Sequence, residues 1–461
     1  MSGKTFSVYG WTVCLWILLV PFQYGYHISV LNQLHASLTC SPTATALQFK
    51  QCIPMTELQF SLLTSIFTVG GLAGSLFANV VSDGYGRRAG STLSSAILVL
   101  GTAIQALAGS VGALCAGRFF VGISAGLGLC VSPVYLAEIT PAKLRGKLGV
   151  LTQIGIVFGI FGTQVIGLVM GGRDGGWRWV FVGSGALAVA QTAIGAMKLV
   201  VDSPEWLAAH GRAVGGPAIH KGTDEEPRGA DTEALLSEET DDESPADIRL
   251  KTPQSSISLP AVLLKTPSDV RLPLLIVSFA MLSQQVSGIN AVLYYSNDIL
   301  SSTLPDLGPY ISLFITIVNV LMTFPPIFLM HRLGPKTLLL ISTFGAVTSL
   351  ILVGVGLNQD WKVLSSVMIV LFVMSFAVGL GPVPFILVPQ VSPYYATSAL
   401  SSIALSLNWI VNFLVGLAFL PLRKLLSGGD PSKQGRVFWV FAAILIVCML
   451  VVARGLKRVG A

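Results

Sequence analysis

Glu138-Ile-Thr-Pro141 closes one long apolar run of this chain, and Gln390-Val-Ser-Pro393 closes another 252 residues later. A second pair of stretches falls at almost the same offset: Asp83-Gly-Tyr-Gly-Arg87-Arg88 and His331-Arg-Leu-Gly-Pro-Lys336, 248 residues apart. Turn chemistry alone makes some short segments look alike, but two matches at nearly one spacing point to a duplicated unit. Around these connections the chain reads as twelve apolar runs. Six lie at about 7–31, 57–81, 90–111, 114–138, 148–171 and 177–200, and six at about 271–298, 309–331, 335–357, 362–389, 397–420 and 436–454. Each is long enough to cross roughly 30 Å of hydrocarbon, which takes about 20 helical residues. Two six-helix halves in one orientation imply an all-α membrane protein with a pseudo-two-fold axis along the membrane normal. That arrangement places a midplane site between halves that rock.

Composition agrees. Of 461 residues 53% are hydrophobic and 11% charged, with a mean hydropathy of +0.75. A soluble domain carries about 25% charged residues and has no interior large enough to hide this much apolar surface. An ordinary cytosolic enzyme and a disordered chain are excluded, and six cysteines are too sparse for a disulfide scaffold. The net charge of +6 does not indicate a nucleic-acid partner, because the basic residues cluster at the ends of apolar runs. No motif gathers a nucleophile, a base and an oxyanion site, so the chain is read as a non-enzyme. No metal and no cofactor is expected.

Of 22 acidic residues, 14 lie between Asp202 and Asp269. This divides the chain into an N-terminal bundle (1–200), an acidic and mostly disordered loop (201–270) and a C-terminal bundle (271–461). No cleavable signal peptide is evident at the first run. With an even number of spans the termini and the central loop share one side, which holds 19 Lys/Arg against eight on the other. The expected side is the cytosol.

Several motifs resemble the sugar porter family of the major facilitator superfamily. They are Gly117-Arg118-Phe-Phe-Val-Gly122 leading to Pro133-Val-Tyr135-Leu-Ala-Glu138-Ile-Thr-Pro141, then Arg145-Gly146, Asp83-x-x-Gly86-Arg87-Arg88, Asp202-Ser203-Pro204-Glu-Trp206-Leu207, and Gln284-Gln285-Val-Ser-Gly288-Ile-Asn290-Ala-Val-Leu-Tyr294-Tyr295-Ser296. They stand in the family's order along nearly the whole chain. The resemblance implies that Gln164, Gln284, Gln285, Asn290, Asn319, Gly381 and Asn408 contact a sugar, with Phe385 standing where the family usually has Trp under the ring. It also implies an inner-surface charge network of Asp83, Arg87, Arg88, Glu138 and Arg145.

The chemistry of these side chains fits. A neutral amide offers donors and acceptors together, and binds hydroxyl pairs without the desolvation cost of an ion. Any single amide at membrane depth also serves as interhelical glue, but a set drawn from several spans of one half, facing Gln164 of the other, favours a shared cavity. Asn408 and Asn412 are four apart and share a helix face. The Ser287-Gly288 pair predicts a broken helix, tolerated only beside protein or a wet cavity. Pro382 and Pro384 predict a kink in the tenth span.

Departures from the pattern are also informative. In the second half Gln390, Pro335-Lys336 and Thr397 replace the expected Glu, Arg pair and Arg, so the ionic contacts between halves are incomplete. This predicts a shift of population toward the inward-facing state. His27 stands where proton-coupled members tend to have Asp and facilitators Asn. A buried His beside Arg118 is expected to stay neutral at cytosolic pH, which favours facilitated diffusion over proton symport, with His27 and Arg118 as the proton-linked candidates. Cys40 and Cys52 share the first non-cytosolic loop, where a disulfide and two free thiols both stay open. Asp231-Thr-Glu-Ala-Leu235-Leu236 fits an acidic dileucine motif read by sorting adaptors, so the vacuolar or lysosomal membrane and the plasma membrane both remain in view. The leading expectation is alternating-access transport of a hexose or related small-molecule sugar across a lipid bilayer. The alternatives are a non-transporting sugar sensor or trafficking-associated protein, and a proton-coupled carrier of sugar or polyol.

Overall fold

The structure, a computed structural model, describes residues 5–40, 52–141, 144, 148–170, 175–212, 217, 219–221, 257–290, 308–428, 430 and 433–459. Six long helices come first: α1 (Val8–Leu38), α2 (Glu57–Tyr85), α3 (Arg87–Ala106), α4 (Val111–Ile139), α5 (Leu151–Met170) and α6 (Gly176–Ala196). Two short ones follow, α7 (Pro204–Ala209) and α8 (Leu259–Leu264). The second set is α9 (Ser268–Val286), α10 (Gly308–Met322), α11 (Pro325–Asn358), α12 (Lys362–Ser375), α13 (Val383–Val391), α14 (Thr397–Ser427) and α15 (Arg436–Val459). Among the described residues eleven helical segments are long and apolar enough to cross a membrane. The remaining predicted run, 271–298, carries α9 and continues past Asn290 into residues outside those described.

Local chemistry sets the boundaries. α2 opens on a capping box in which the Thr56 hydroxyl accepts from the Gln59 amide and Gln59 Oε1 accepts from the Thr56 amide at 2.9 Å. Gly86, at φ +100°, lets α3 leave α2 after one residue. The predicted eighth run, 309–331, is present as a spanning segment over Leu313–Met330 with an internal break. It breaks between α10 and α11 ahead of Pro325-Pro326, whose missing N–H groups cannot continue a helix. The predicted ninth run begins after a second bend at Gly334, φ +73°. The tenth run divides as predicted near its prolines, with a π-helical turn at Phe376–Leu380 between α12 and α13. The ends of the predicted acidic loop are structured: α7 follows Asp202-Ser203, and α8 packs Val262 against Val270, Ala396 and Leu400. Residues 222–256 lie outside the described set.

Small residues allow close crossings. Gly70 and Gly71 of α2 lie against Gly122 and Gly126 of α4, and Gly25 of α1 lies against the Ile156 backbone of α5. Apolar side chains such as Phe77, Val80, Trp179, Phe328 and Phe344 point outward and are exposed, a belt that only lipid can cover. The two sets of helices meet along α2 with α14 and along α5 with α10. In the predicted repeat these are the second span with the eleventh and the fifth with the eighth, so the pseudo-two-fold turns one contact into the other. The start of α1 and the end of α15 lie on one side: Tyr9 donates to the Leu199 carbonyl, Gly455 packs on Ile276, and the Leu259 amide reaches Asn79 near the end of α2. This is called the terminal side below.

Candidate functional site

The predicted amides of the second set form one connected chain. Asn290 donates to Asn412 Oδ1 at 2.7 Å and to Gln285 Oε1 at 3.0 Å. Gln285 donates to Asn408 Oδ1 at 3.2 Å, and Asn408 donates to Gln284 Oε1 at 3.0 Å. Gln284 ends the chain on the Gly381 carbonyl at 3.0 Å and the Leu380 carbonyl at 3.3 Å. These carbonyls lie at the π-turn and the prolines beyond it, where the ladder lacks donors. The predicted break is present: α9 ends at Val286 and Gly288 has φ +77°, which sets Asn290 on a new axis. A chain of neutral amides can exchange each internal bond for a ligand hydroxyl without moving a charge.

Asn319 on α10 is buried, and among the described residues its Oδ1 has no hydrogen-bond partner. Gln164 is buried on α5. Gln153, which the sequence reading missed, precedes it by eleven residues, about three helical turns, and so lies on the same face. A Cβ on Gly381 would stand 3.1 Å from its amide, so this glycine lets the two halves touch.

Phe385, expected under the sugar ring, is buried and has a second aromatic residue in its surroundings. It shares an apolar cluster with Trp409. The Trp409 indole packs edge-on against Tyr24 at 5.8 Å and Phe67 at 5.5 Å, with Gly71 leaving the space that a Cβ would fill. Its buried Nε1–H has no acceptor among the described residues. Trp409 thus places a buried indole N–H one residue from Asn408. Its place one residue from a candidate amide was the available signal.

His27 and Arg118 do meet, but through the backbone. Arg118 Nη1 donates to the His27 carbonyl at 2.7 Å, and its guanidinium lies 4.6 Å over the Phe67 ring. The His27 ring faces Ser184, with 2.7 Å between Nε2 and Oγ. The Gln23 amide N–H donates to the Ser184 carbonyl, which fixes Gln23 Oε1 as acceptor of the single Ser184 hydroxyl proton at 2.7 Å. Nε2–H is therefore the donor to Ser184.

On the terminal side Arg87 is the hub. It makes a forked contact with Glu138 (Nη2 to Oε1 2.9 Å, Nε to Oε2 3.0 Å) and donates to Asp83 at 3.0 Å. Arg88 departs from the expected network: its guanidinium donates to the Val200 carbonyl and joins no carboxylate among the described residues. Its backbone explains the difference. Asp202 Oδ1 accepts from the Arg87 and Arg88 amides at 2.8 and 3.1 Å, capping α3 where Gly86 has no side chain, so this acid is engaged with the backbone rather than with the Arg88 guanidinium. Arg145, Asp231, Leu235, Leu236 and the Cys40 side chain lie outside the described residues.

Neutral groups hold the halves together on this side. Ser398 of α14 donates to Asp83 at 2.5 Å, Ser75 and Ser406 share a hydrogen bond at 2.8 Å, and Ser401 donates to the Cys130 carbonyl at 2.9 Å. Asn79 bridges the Asp83 carboxylate and the Leu259 amide. The expectation of a weak gate weighed charges alone, and these hydroxyls supply contacts that it did not count.

The sequence profile described as "Sugar (and other) transporter" matches residues 13–458. The chain belongs to this family. Facilitated glucose transporter member 3 of solute carrier family 2 from Rattus norvegicus is 32% identical over 93% of this chain and 86% of its own length. Vacuolar protein sorting-associated protein 73 of Saccharomyces cerevisiae is 31% identical over 92% of this chain and 88% of its own. The proton:xylose symporter XylE, solved with 6-bromo-6-deoxy-D-glucose, superposes with a TM-score of 0.77 at 19% identity, over 97% of this chain and 95% of that one. The likeness to XylE shows the fold, that of a multi-pass major facilitator. The chain is thus an integral membrane protein of a sugar transporter family.

Proposed function

We propose that this sugar transporter carries a hexose or closely related neutral sugar by facilitated diffusion, with the halves closing alternately around the amide chain. The carrying observation is the run Asn412–Asn290–Gln285–Asn408–Gln284, whose members hydrogen-bond one another and present no ionised group. Relatives named as facilitated glucose transporters support the hexose reading. The His27 ring engaged with Ser184 supports uniport, since a neutral pair there couples no charge. The test is uptake of radiolabelled glucose, fructose and myo-inositol into reconstituted vesicles at two pH values, with and without an uncoupler. Uncoupler-insensitive hexose flux is expected. Binding without flux, or uptake abolished by the uncoupler, overturns the proposal.

In this reading the terminal side faces the cytosol, in keeping with its excess of Lys and Arg. The membrane is vacuolar, a placement supported by the relative named for vacuolar protein sorting and by the dileucine motif at Asp231, Leu235 and Leu236. Sorting adaptors are the partners of that motif. Replacing both leucines by alanine should move a fluorescent fusion to the plasma membrane; unchanged vacuolar fluorescence would remove the adaptor role.

A further inference from the structure

The N-terminal half of α9, ahead of the amides it carries, borders a second kind of site. Arg271, Leu274, Leu275 and Phe279 recur at the spacing of one helix face and, with Leu264 at the end of α8 and the turn that follows it, border an open groove of about 780 Å³. The groove is graded along its length. Lys265 and Arg271, both exposed, stand at its terminal-side mouth. Phe279 lies eight residues deeper, about 12 Å along the helix axis. Leu264, 84% exposed, and Leu275, 40% exposed, form apolar walls that water would leave unfavourably uncovered.

The charges at the mouth are available to a ligand. Among the described residues neither Lys265 nor Arg271 pairs with a carboxylate, and Arg271 Nε makes only a long bond to the Thr266 carbonyl at 3.3 Å. The nearby acid, Asp269, is turned away and accepts from the Tyr395 hydroxyl at 2.5 Å. Two cations above an apolar slot that descends from the membrane surface match one chemistry: an anionic head joined to a hydrocarbon chain.

We propose that this groove binds an anionic phospholipid of the leaflet on the terminal side. Lys265 and Arg271 hold the phosphate and head group, and one acyl chain lies along Leu274, Leu275 and Phe279. Because α8 packs Val262 onto Ala396, Ala399 and Leu400 at the start of α14, a lipid seated there also braces the helix that carries the latch to Asp83.

The test reads lipid retention rather than sugar transport, so its outcome is independent of the proposed function. Full-length protein is placed in nanodiscs of mixed phosphatidylcholine and phosphatidylserine, and bound lipid is counted by native mass spectrometry. Phosphatidylserine should be retained in preference. The double variant Lys265→Gln/Arg271→Gln should weaken that retention roughly 25-fold, the effect of two cations near a membrane surface. Each single variant should weaken it roughly fivefold, and the singles carry the test if the double variant does not fold. Arg332→Gln, at an exposed arginine that does not line the groove, should retain the lipid as the wild type does. Equal retention by wild type and the groove variants overturns the proposal. So does displacement of the lipid by soluble glycerophosphoserine at matched concentration, which would mark a site for a free phosphoester.

Discussion

Ser398, at the start of α14, donates a hydrogen bond to Asp83 Oδ1, at the end of α2, across a separation of 2.5 Å. The same oxygen accepts from Arg87 at 3.0 Å, and Arg87 in turn grips Glu138. One carboxylate oxygen therefore joins the ion cluster of the first six helices to the second set. The two functions separate along this line. The ion pairs fasten α2, α3 and α4 to one another, and hydroxyls fasten that assembly to its partner.

Releasing the hydroxyls should open the terminal side without unfolding either half. A hydrogen bond to a charged group contributes about 1.5 kcal/mol and a neutral one about 1. Cys130, buried between Ser75 and Ser401, is the built-in reporter. In a background with the other five cysteines replaced by serine, Ser398→Ala should speed its alkylation by a permeant maleimide roughly tenfold. Ser406→Ala should speed it roughly fivefold. Unchanged rates would show that these contacts do not hold the gate.

The Arg87–Glu138 contact should behave differently, because both side chains are nearly inaccessible, at 3% and 6% exposure. Removing one partner of a buried pair strands the other charge and costs about 3–5 kcal/mol. Glu138→Gln should lower the thermal midpoint of the detergent-solubilised protein by many degrees and reduce its expression. Arg88→Gln, whose guanidinium meets a carbonyl and no carboxylate among the described residues, should shift that midpoint little. Equal shifts in the two variants would mean that the Arg87–Glu138 pair contributes no more to stability than Arg88 does.

Within the amide chain Gln285 is the central link, bonded to both Asn290 and Asn408. Gln285→Ala removes one candidate amide and leaves Asn290 and Asn408 each one hydrogen bond short, while Asn290 keeps Asn412 and Asn408 keeps Gln284. Sugar affinity measured by equilibrium binding should fall about tenfold. Gln191→Ala, which removes a buried amide on α6 bonded to the Trp16 carbonyl, should leave affinity near the wild-type value. If both variants lose affinity alike, the chain is structural rather than ligand-binding.

Gly288 positions that chain through its backbone. Its φ of +77° is a left-handed conformation that costs a non-glycine residue roughly 1–2 kcal/mol, and an added Cβ would meet only ordinary contact with the Phe441 ring at 3.5 Å. Gly288→Ala should therefore favour continuation of α9 and rotate Asn290 away from Asn412. The expected signature is a loss of sugar affinity larger than the loss of thermal stability, read by binding and melting on the same preparation.

The span pattern and the amide positions were legible in the sequence because both follow from periodic, local information. Membrane depth sets run length, and Gln284, Gln285 and Asn290 stand within seven residues of one another. Contacts between distant segments were not legible. Ser398, Ser401 and Ser406 look like ordinary small residues on one helix, and only packing brings them to α2 and α4. Asp202 was visible as part of a motif, but its use as a cap for α3 depends on Gly86 lacking a side chain 116 positions earlier. Trp409 reads as lipid-facing or core until Gly71 is seen to leave it room. The break between α10 and α11 could have been read from Pro325-Pro326, but an unbroken apolar run concealed it.

The crossing of α2 and α4 gives a stability prediction that is independent of ligand. A Cβ on Gly126 would fall 2.0 Å from the Gly71 carbonyl oxygen, a backbone atom that cannot rotate aside. Gly126→Ala must push the two helices apart, a strain of at least about 2 kcal/mol. It also displaces Gly71 from Trp409, and with it the contact between halves. Gly84, near the end of the same α2, has nothing within 4 Å of its added Cβ. Gly84→Ala should gain helix propensity, up to about 1 kcal/mol. Thermal melting should therefore move in opposite directions for the two glycine-to-alanine changes, down for Gly126 and slightly up for Gly84. A Gly126→Ala midpoint equal to the wild type would mean that α2 and α4 do not cross this closely.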